Sequence, residues 1–352
     1  MSTFPLTRLP WLAFREVASQ FAVLDFINIV QCSKKFTQLL KLADSERLQV
    51  SIDCSAERLY IGSHYLIMFH DNQSKDCFGV SGVRNFNGIE VPYVLDHPND
   101  YGVSMYWNGI VSGLHSVAFH LLKFLNSEIG MFSSDYLDKI RIQSTLDYIK
   151  NRQKSIEVLH ISKIGSQINE LLSCLQVTMD LQINLELEEG YELKMAYEPL
   201  MIKISKSSWF TLNQLLALNC VRIELTGSLL TNNDITVYVN EWKAGGLPNL
   251  RNLVVTGENL NATEPISGVA PPIQHENLRT FHEVKFQNYK VRLYGGVEIQ
   301  NKYSVAAVMR MQKILSDGDG VELFCFLIPD YQESTLPKGK RYQYYGTAYY
   351  GQ

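Results

Sequence analysis

Between positions 110 and 255 the apolar residues switch repeatedly between a helical spacing and a period of two. Helix, strand and helix again, joined by short connections, is the pattern of parallel strands linked by crossover helices. It argues against an all-helical centre and against a closed antiparallel barrel. Residues 110–125 form an amphipathic helical pattern, 139–142 a short strand and 144–152 a helix. Strands are expected at 156–161, 181–187, 200–204 and 221–225, and helices at 164–175 and 209–218. Thr231 opens a further helix, with Asp234 placed as in a capping box, and the helix reaches Trp242 and stops at Gly245-Gly246. Leu247-Pro248-Asn249-Leu250 then leads into Leu253-Val254-Val255. A leucine pair feeding a β-branched strand is like one unit of a leucine-rich repeat. Such units recur here at roughly 20–30 residues without a strict consensus, which makes the repeat degenerate.

The flanks are different. Residues 48–95 hold period-two runs punctuated by Gly62, Gly79, Gly82 and Gly88, the pattern of antiparallel strands with turns. Residues 257–277 are loop-like, residues 280–328 return to strands, and the tail from 329 is expected to be mobile. Residues 1–42 are helical throughout by spacing. Leu12, Phe14, Val17, Ala18 and Phe21 form one stripe; Phe26, Ile27, Ile29 and Val30 follow Asp25; Phe36, Leu39, Leu40 and Leu42 follow Ser33. Three short helices cannot bury that much apolar surface among themselves, so they need a partner or a neighbouring domain. The fold class is therefore α/β, or α+β overall. A small helical module over 1–42 precedes an α/β domain over 43–328. That domain is leucine-rich-repeat-like over 110–256, with additional antiparallel strands, and residues 329–352 form the tail.

Hydrophobic residues make up 46% of the chain and charged residues 19%, an ordinary globular balance. The net charge of -4 gives no basic excess for nucleic acid, and no uncharged run approaches the roughly 18 residues of a membrane span. The six cysteines form no CxxC pair and mostly sit in apolar runs, which points to reduced core thiols in an intracellular protein, cytoplasmic or nuclear. There is no P-loop, GxGxxG, HExxH or GxSxG motif. His115 and His120 do not share a helix face as a zinc pair would. Asp317-Gly318-Asp319-Gly320 is a fragment of a calcium loop and fits a hairpin turn better, and Glu186, Glu188 and Glu189 fit a solvated strand end. No catalytic residue, cofactor or metal is expected, and a non-catalytic protein is the reading.

Phe4-Pro5-Leu6-Thr7-Arg8-Leu9-Pro10, the apolar helix after it, and Gln31-Cys32-Ser33-Lys34-Lys35-Phe36 together resemble an F-box. The chain is most similar to the nematode F-box proteins that carry a second-type F-box-associated domain. They share a mid-chain segment like Leu230-Thr231-Asn232-Asn233-Asp234-Ile235 leading to Trp242 and Pro248-Asn249-Leu250. Phe36 stands where the family usually has Trp, and Gln300-Asn301-Lys302-Tyr303 replaces an Arg-x-Asp-Gly turn. The resemblance implies a substrate-recognition adaptor of an SCF-type ubiquitin ligase. The F-box would bind a Skp-type adaptor, and through it a cullin-RING core, by Leu9, Pro10, Leu12, Val17, Leu24, Phe26, Ile29, Cys32, Phe36 and Leu39. The C-terminal domain would hold a protein substrate, with no nucleic acid or membrane involved. The alternative is an interaction scaffold whose vestigial F-box no longer recruits the ligase.

Overall fold

Arg58-Leu59-Tyr60-Ile61 alternates so that Leu59 and Ile61 face inward and are fully buried. That period of two recurs through a mixed α/β architecture. The computed structural model describes residues 8–18, 21, 25, 27–29, 35–36, 38–39, 49–62, 65–73, 80–86, 88–96, 102–125, 127–135, 137–273, 281–286, 289–316, 319–329 and 347–350. They fall into two units, Met1–His160 and Ile161–Gln352.

The first unit holds helix α1 (Trp11–Ala18) and strands β1 (Val50–Asp53), β2 (Arg58–Ile61), β3 (Tyr65–Asp71), β4 (Gly82–Phe86), β5 (Ile89–Asp96) and β6 (Gly102–Trp107). Helix α2 (Ile110–Leu125), β7 (Ile129–Ser133), α3 (Lys139–Arg152) and β8 (Ser155–Ser162) follow, the last two residues of β8 beginning the second unit. The strand order is β8-β7-β1-β2-β3-β6-β5-β4. β1 is central to it. It pairs antiparallel with β2 across a short turn and parallel with the distant β7. The turn is closed by Asp53, whose Oδ1 accepts from Ser55 N at 3.1 Å, Ser55 Oγ at 2.6 Å and Ala56 N at 3.1 Å. Gln153 ties β7 to β8. Its Oε1 accepts from Ile129 N at 2.9 Å, and its Nε2 donates to Ile129 O and Ser155 O, both at 2.8 Å. α2 buries Leu114, Val117, Ala118, Leu121, Leu122 and Leu125 and packs on β1, β2, β3, β4 and β6. The Trp107 ring lies directly on Gly113 of α2, leaving no room there for a Cβ.

Sequence spacing made 139–142 a strand; the structure makes it the first turn of α3. The local Ile140-Arg141-Ile142 alternation loses to two longer-range features. Asp138 caps the helix, accepting from Arg141 N at 2.8 Å, and Ile142, Leu146 and Ile149 form a buried helical stripe. Ile140 is left exposed.

The second unit begins with α4 (Ile168–Cys174) and continues through β9 (Gln176–Asn184), β10 (Met201–Ser205), α5 (Leu212–Ala217), β11 (Arg222–Ser228), α6 (Asn232–Lys243) and β12 (Asn252–Gly257). β9, β10, β11 and β12 lie side by side in chain order, each parallel to the last. β15 (Val297–Gln300), β16 (Ala306–Ser316) and β17 (Asp319–Leu327) extend the sheet antiparallel beyond β12. Ser316 pairs with Asp319 across β16 and β17, and Asp317 and Gly318, expected at a hairpin turn, lie outside the described residues. One sheet face, with Ile223, Leu225, Leu253, Val255, Phe324 and Phe326, is buried, and Trp242 of α6 meets Phe326 edge-on at 5.0 Å. On the opposite face Val254, Val308, Leu323, Cys325 and Leu327 pack with Val284, Val291 and Leu293. These last three come from a second sheet, β13 (Phe281–Phe286), β14 (Tyr289–Tyr294) and β18 (Thr347–Tyr350). Four residues of the expected tail thus form a strand parallel to β14.

Candidate functional site

Pro10 stands just before α1, and its carbonyl accepts the first helical bond, from Phe14 N at 2.9 Å. Its missing amide and fixed φ suit that position. The helix then divides its apolar residues. Phe14 and Ala18 are buried, whereas Trp11 is 40% exposed, Leu12 67% and Val17 37%. Phe14 faces Phe36 edge-on at 5.4 Å, and Phe21 meets Phe36 at 5.9 Å. Among the residues assigned to adaptor docking, Pro10, Leu12 and Val17 are exposed, and Leu9, Ile29 and Leu39 half-buried. Phe36 lies within the chain's own aromatic cluster, 2% exposed. Leu24, Phe26 and Cys32 lie outside the described residues.

A second surface runs across the parallel strands of the second unit. Asp180, Gln182, Lys203, Arg222 and Glu224 project from the face that carries Val254, with Gln182, Lys203 and Glu224 in register. Lys203 Nζ lies 2.7 Å from Glu224 Oε1, and Arg222 Nη2 donates to Glu224 Oε2 at 3.0 Å. Gln182 donates to Asp180 at 3.0 Å. Sequence reasoning did not single these residues out. The signal was present in Met201-Ile202-Lys203-Ile204 and Arg222-Ile223-Glu224-Leu225, where every second residue is polar.

Among the described residues, His, Cys, Asp and Glu nowhere cluster as a metal site would require. His115 stacks on Phe119 at 4.4 Å and lies 3.4 Å from Thr145 Oγ1, whereas His120 meets Phe86 edge-on at 5.5 Å. Burial, reinforced by the Arg141 charge and opposed by Asp138, pushes the His115 imidazole down to about 4. Burial pushes the Cys220 and Cys325 thiols up to about 12, so both stay protonated and unreactive. Cys54 is also a buried free thiol, but Cys174 is exposed at the end of α4, contrary to the core position expected of it. It lies off the helix side that buries Ile168, Leu171 and Leu172. Glu186 is exposed and pairs with Lys206 at 3.5 Å.

The profile of the family described as F-box associated matches residues 193–255. The match runs from before β10 to all but the last two residues of β12, and so includes α5, β11 and α6. The part of the chain that is similar to this family is a parallel strand-helix array. Compared with the curated proteins and with the solved structures, the chain matches none.

Proposed function

We propose that this protein is a non-catalytic, substrate-recognition subunit of an SCF-type ubiquitin ligase, acting in the cytoplasm or nucleus. The F-box-associated match over residues 193–255 carries this reading. The exposed apolar face of α1 supports it, because Trp11, Leu12 and Val17 are surface that a folded chain ordinarily hides. In this scheme Leu9, Pro10, Leu12, Val17, Ile29 and Leu39, with Leu24, Phe26 and Cys32, meet a Skp-type adaptor that leads to a cullin and a RING subunit. Each fully buried Leu or Val contributes about 1.5–3 kcal/mol by area. The remaining chain holds a protein substrate near a ubiquitin-charged enzyme, and proximity alone raises the transfer rate.

Phe36 favours a second reading, since a residue assigned to docking is already used within the chain. In that reading the protein is an interaction scaffold that no longer recruits the ligase. Co-purification of a Skp-type adaptor with the full chain separates the two. Replacing both Leu9 and Pro10 with Ala is expected to weaken adaptor binding at least tenfold, about 1.4 kcal/mol, while the rest of the chain stays folded. A double variant that holds the adaptor as well as wild type removes these residues from the interface. A wild-type chain that captures no adaptor leaves the scaffold reading.

A further inference from the structure

The helical segment that carries the exposed α1 face has a polar attachment to the sheet of its own unit. Ile27 is buried, and its neighbour Asn28 turns its side-chain oxygen towards β4. There Arg84 Nη1 donates to Asn28 Oδ1 at 2.7 Å, a contact between residues 56 positions apart. The same guanidinium lies over the Tyr93 ring, 5.8 Å from its centroid. Tyr93 sits opposite Gly82 in the β4–β5 ladder, and its hydroxyl occupies space that a Cβ at Gly82 would need, at 2.8 Å. Arg84 is therefore held by the ring on one side and offers an N–H to the helix. A planar guanidinium suits both contacts at once, which a flexible ammonium would not. Phe14, Phe21 and Phe36 pack together within the helical segment.

We propose that Arg84 and Asn28 form a latch that fixes the N-terminal helical segment to the sheet of the first unit. The latch presents the Pro10-Trp11-Leu12 face in one orientation rather than on a swinging tether. Its value to a ligase rests on the function proposed above; the latch itself does not. It belongs to a partly buried setting, where a lost acceptor leaves a cationic N–H without its partner. The apolar contacts around Ile27 remain when the latch opens, so opening loosens the segment without unfolding the sheet.

Hydrogen–deuterium exchange on the full chain, with no adaptor present, tests this. Arg84→Met and Asn28→Ala should each speed amide exchange in residues 11–18 and 27–29 about tenfold. The double variant should be no faster than the faster single one, because both remove the same contact. Protection in β1–β3 should be unchanged. Asn28→Asp removes no packing and sets a carboxylate against the guanidinium, so it should slow exchange below wild type. Exchange in Arg84→Met within twofold of wild type, additive single effects, or Asn28→Asp exchanging as fast as wild type each overturns the latch. Should Arg84→Met lose protection in β1–β3 as well, the Asn28→Asp result alone decides. Adaptor capture by the same proteins is a separate readout. A wild-type chain that captures no adaptor defeats the functional reading and leaves the latch standing.

Discussion

α6 and α1 are both amphipathic, yet they dispose of their apolar residues in opposite ways. α6 has a full capping box. Thr231 N donates to Asp234 Oδ2 at 2.8 Å, and Asp234 N donates to Thr231 Oγ1 at 3.3 Å. Ile235, Tyr238, Val239 and Trp242, at helical spacing, are all at most 2% exposed. α1 is eight residues long, buries Phe14 and Ala18, and leaves Trp11, Leu12 and Val17 in solvent. A helix that short is marginal alone in water, so its few buried contacts must hold it. The contrast separates a helix that buries its apolar stripe in its unit from one that leaves much of its apolar surface exposed. Periodicity alone does not distinguish them, because both show a stripe.

The contrast breaks first at Trp242. Replacing it with Ala removes the ring that meets Phe326 and leaves a cavity between α6 and the sheet. The expected cost is about 3–5 kcal/mol, read as a lower denaturation midpoint. A midpoint like that of wild type would mean that α6 is not the builder its burial implies.

His115 on α2 gives a pH-dependent test of the same idea, that a helix side facing the interior determines stability. Its imidazole titrates near 4 when folded, chiefly because burial disfavours the cation, and near the ordinary 6.5 when unfolded. Between those values the unfolded chain binds more protons, so stability falls as pH drops from about 6.5 to about 4. The ring is partly solvent-facing, which discounts the full shift to a loss on the order of 1–2 kcal/mol. Arg141 and Thr145 of α3 and its cap Asp138 are polar groups that face it. His115→Gln should flatten that slope, measured as unfolding free energy against pH. An unchanged slope would assign the acid sensitivity to other groups.

A smaller effect is expected at the N-terminus of α6. Thr231→Ala removes both bonds made by the hydroxyl, to Asp234 N and Asp234 Oδ2. Loss of such a cap costs about 1 kcal/mol. Thr231→Ser keeps the oxygen and should recover most of that loss in the same melt. Failure of Ser to recover it would place the effect in the Thr methyl group instead.

The sequence was most readable where the determinants are local. Thr231, Asp234 and Gly245-Gly246 mark the ends of α6, and the polar-apolar alternation of Arg222-Ile223-Glu224-Leu225 marks β11. The Leu230-to-Leu250 segment singled out by resemblance also lies inside the F-box-associated match. Local signals failed at 139–142, where two isoleucines in alternation imitate a strand and only the Asp138 cap and the later Leu146 and Ile149 reveal a helix. Non-local pairings had no signal at all. Nothing in Val50–Asp53 announces a parallel partner at β7, and nothing around Asn28 announces Arg84. At the candidate docking face the stripe Leu12, Phe14, Val17 and Ala18 was visible. Which members the chain would bury itself depended on Phe36, which closes over Phe14 from further along the chain.

Leu12 is where the smallest effect on folding is expected, and it is the most discriminating for that reason. At 67% exposed it touches little of the folded chain, so truncation leaves almost no cavity. Leu12→Ala should shift stability by no more than about 0.5 kcal/mol, the range of ordinary surface changes. Helix propensity pushes the other way if at all, since Ala is the best helix former and α1 is short. If α1 holds its apolar face for an adaptor, the same substitution should still weaken adaptor capture, because the lost area is buried only in the complex. The two measurements belong on one preparation, thermal melting and adaptor pull-down. A melt that falls by several degrees would show that Leu12 is structural and that α1 resembles α6 after all. An unchanged melt with unchanged capture would remove Leu12 from the docking face and leave Leu9, Pro10 and Val17 to account for it.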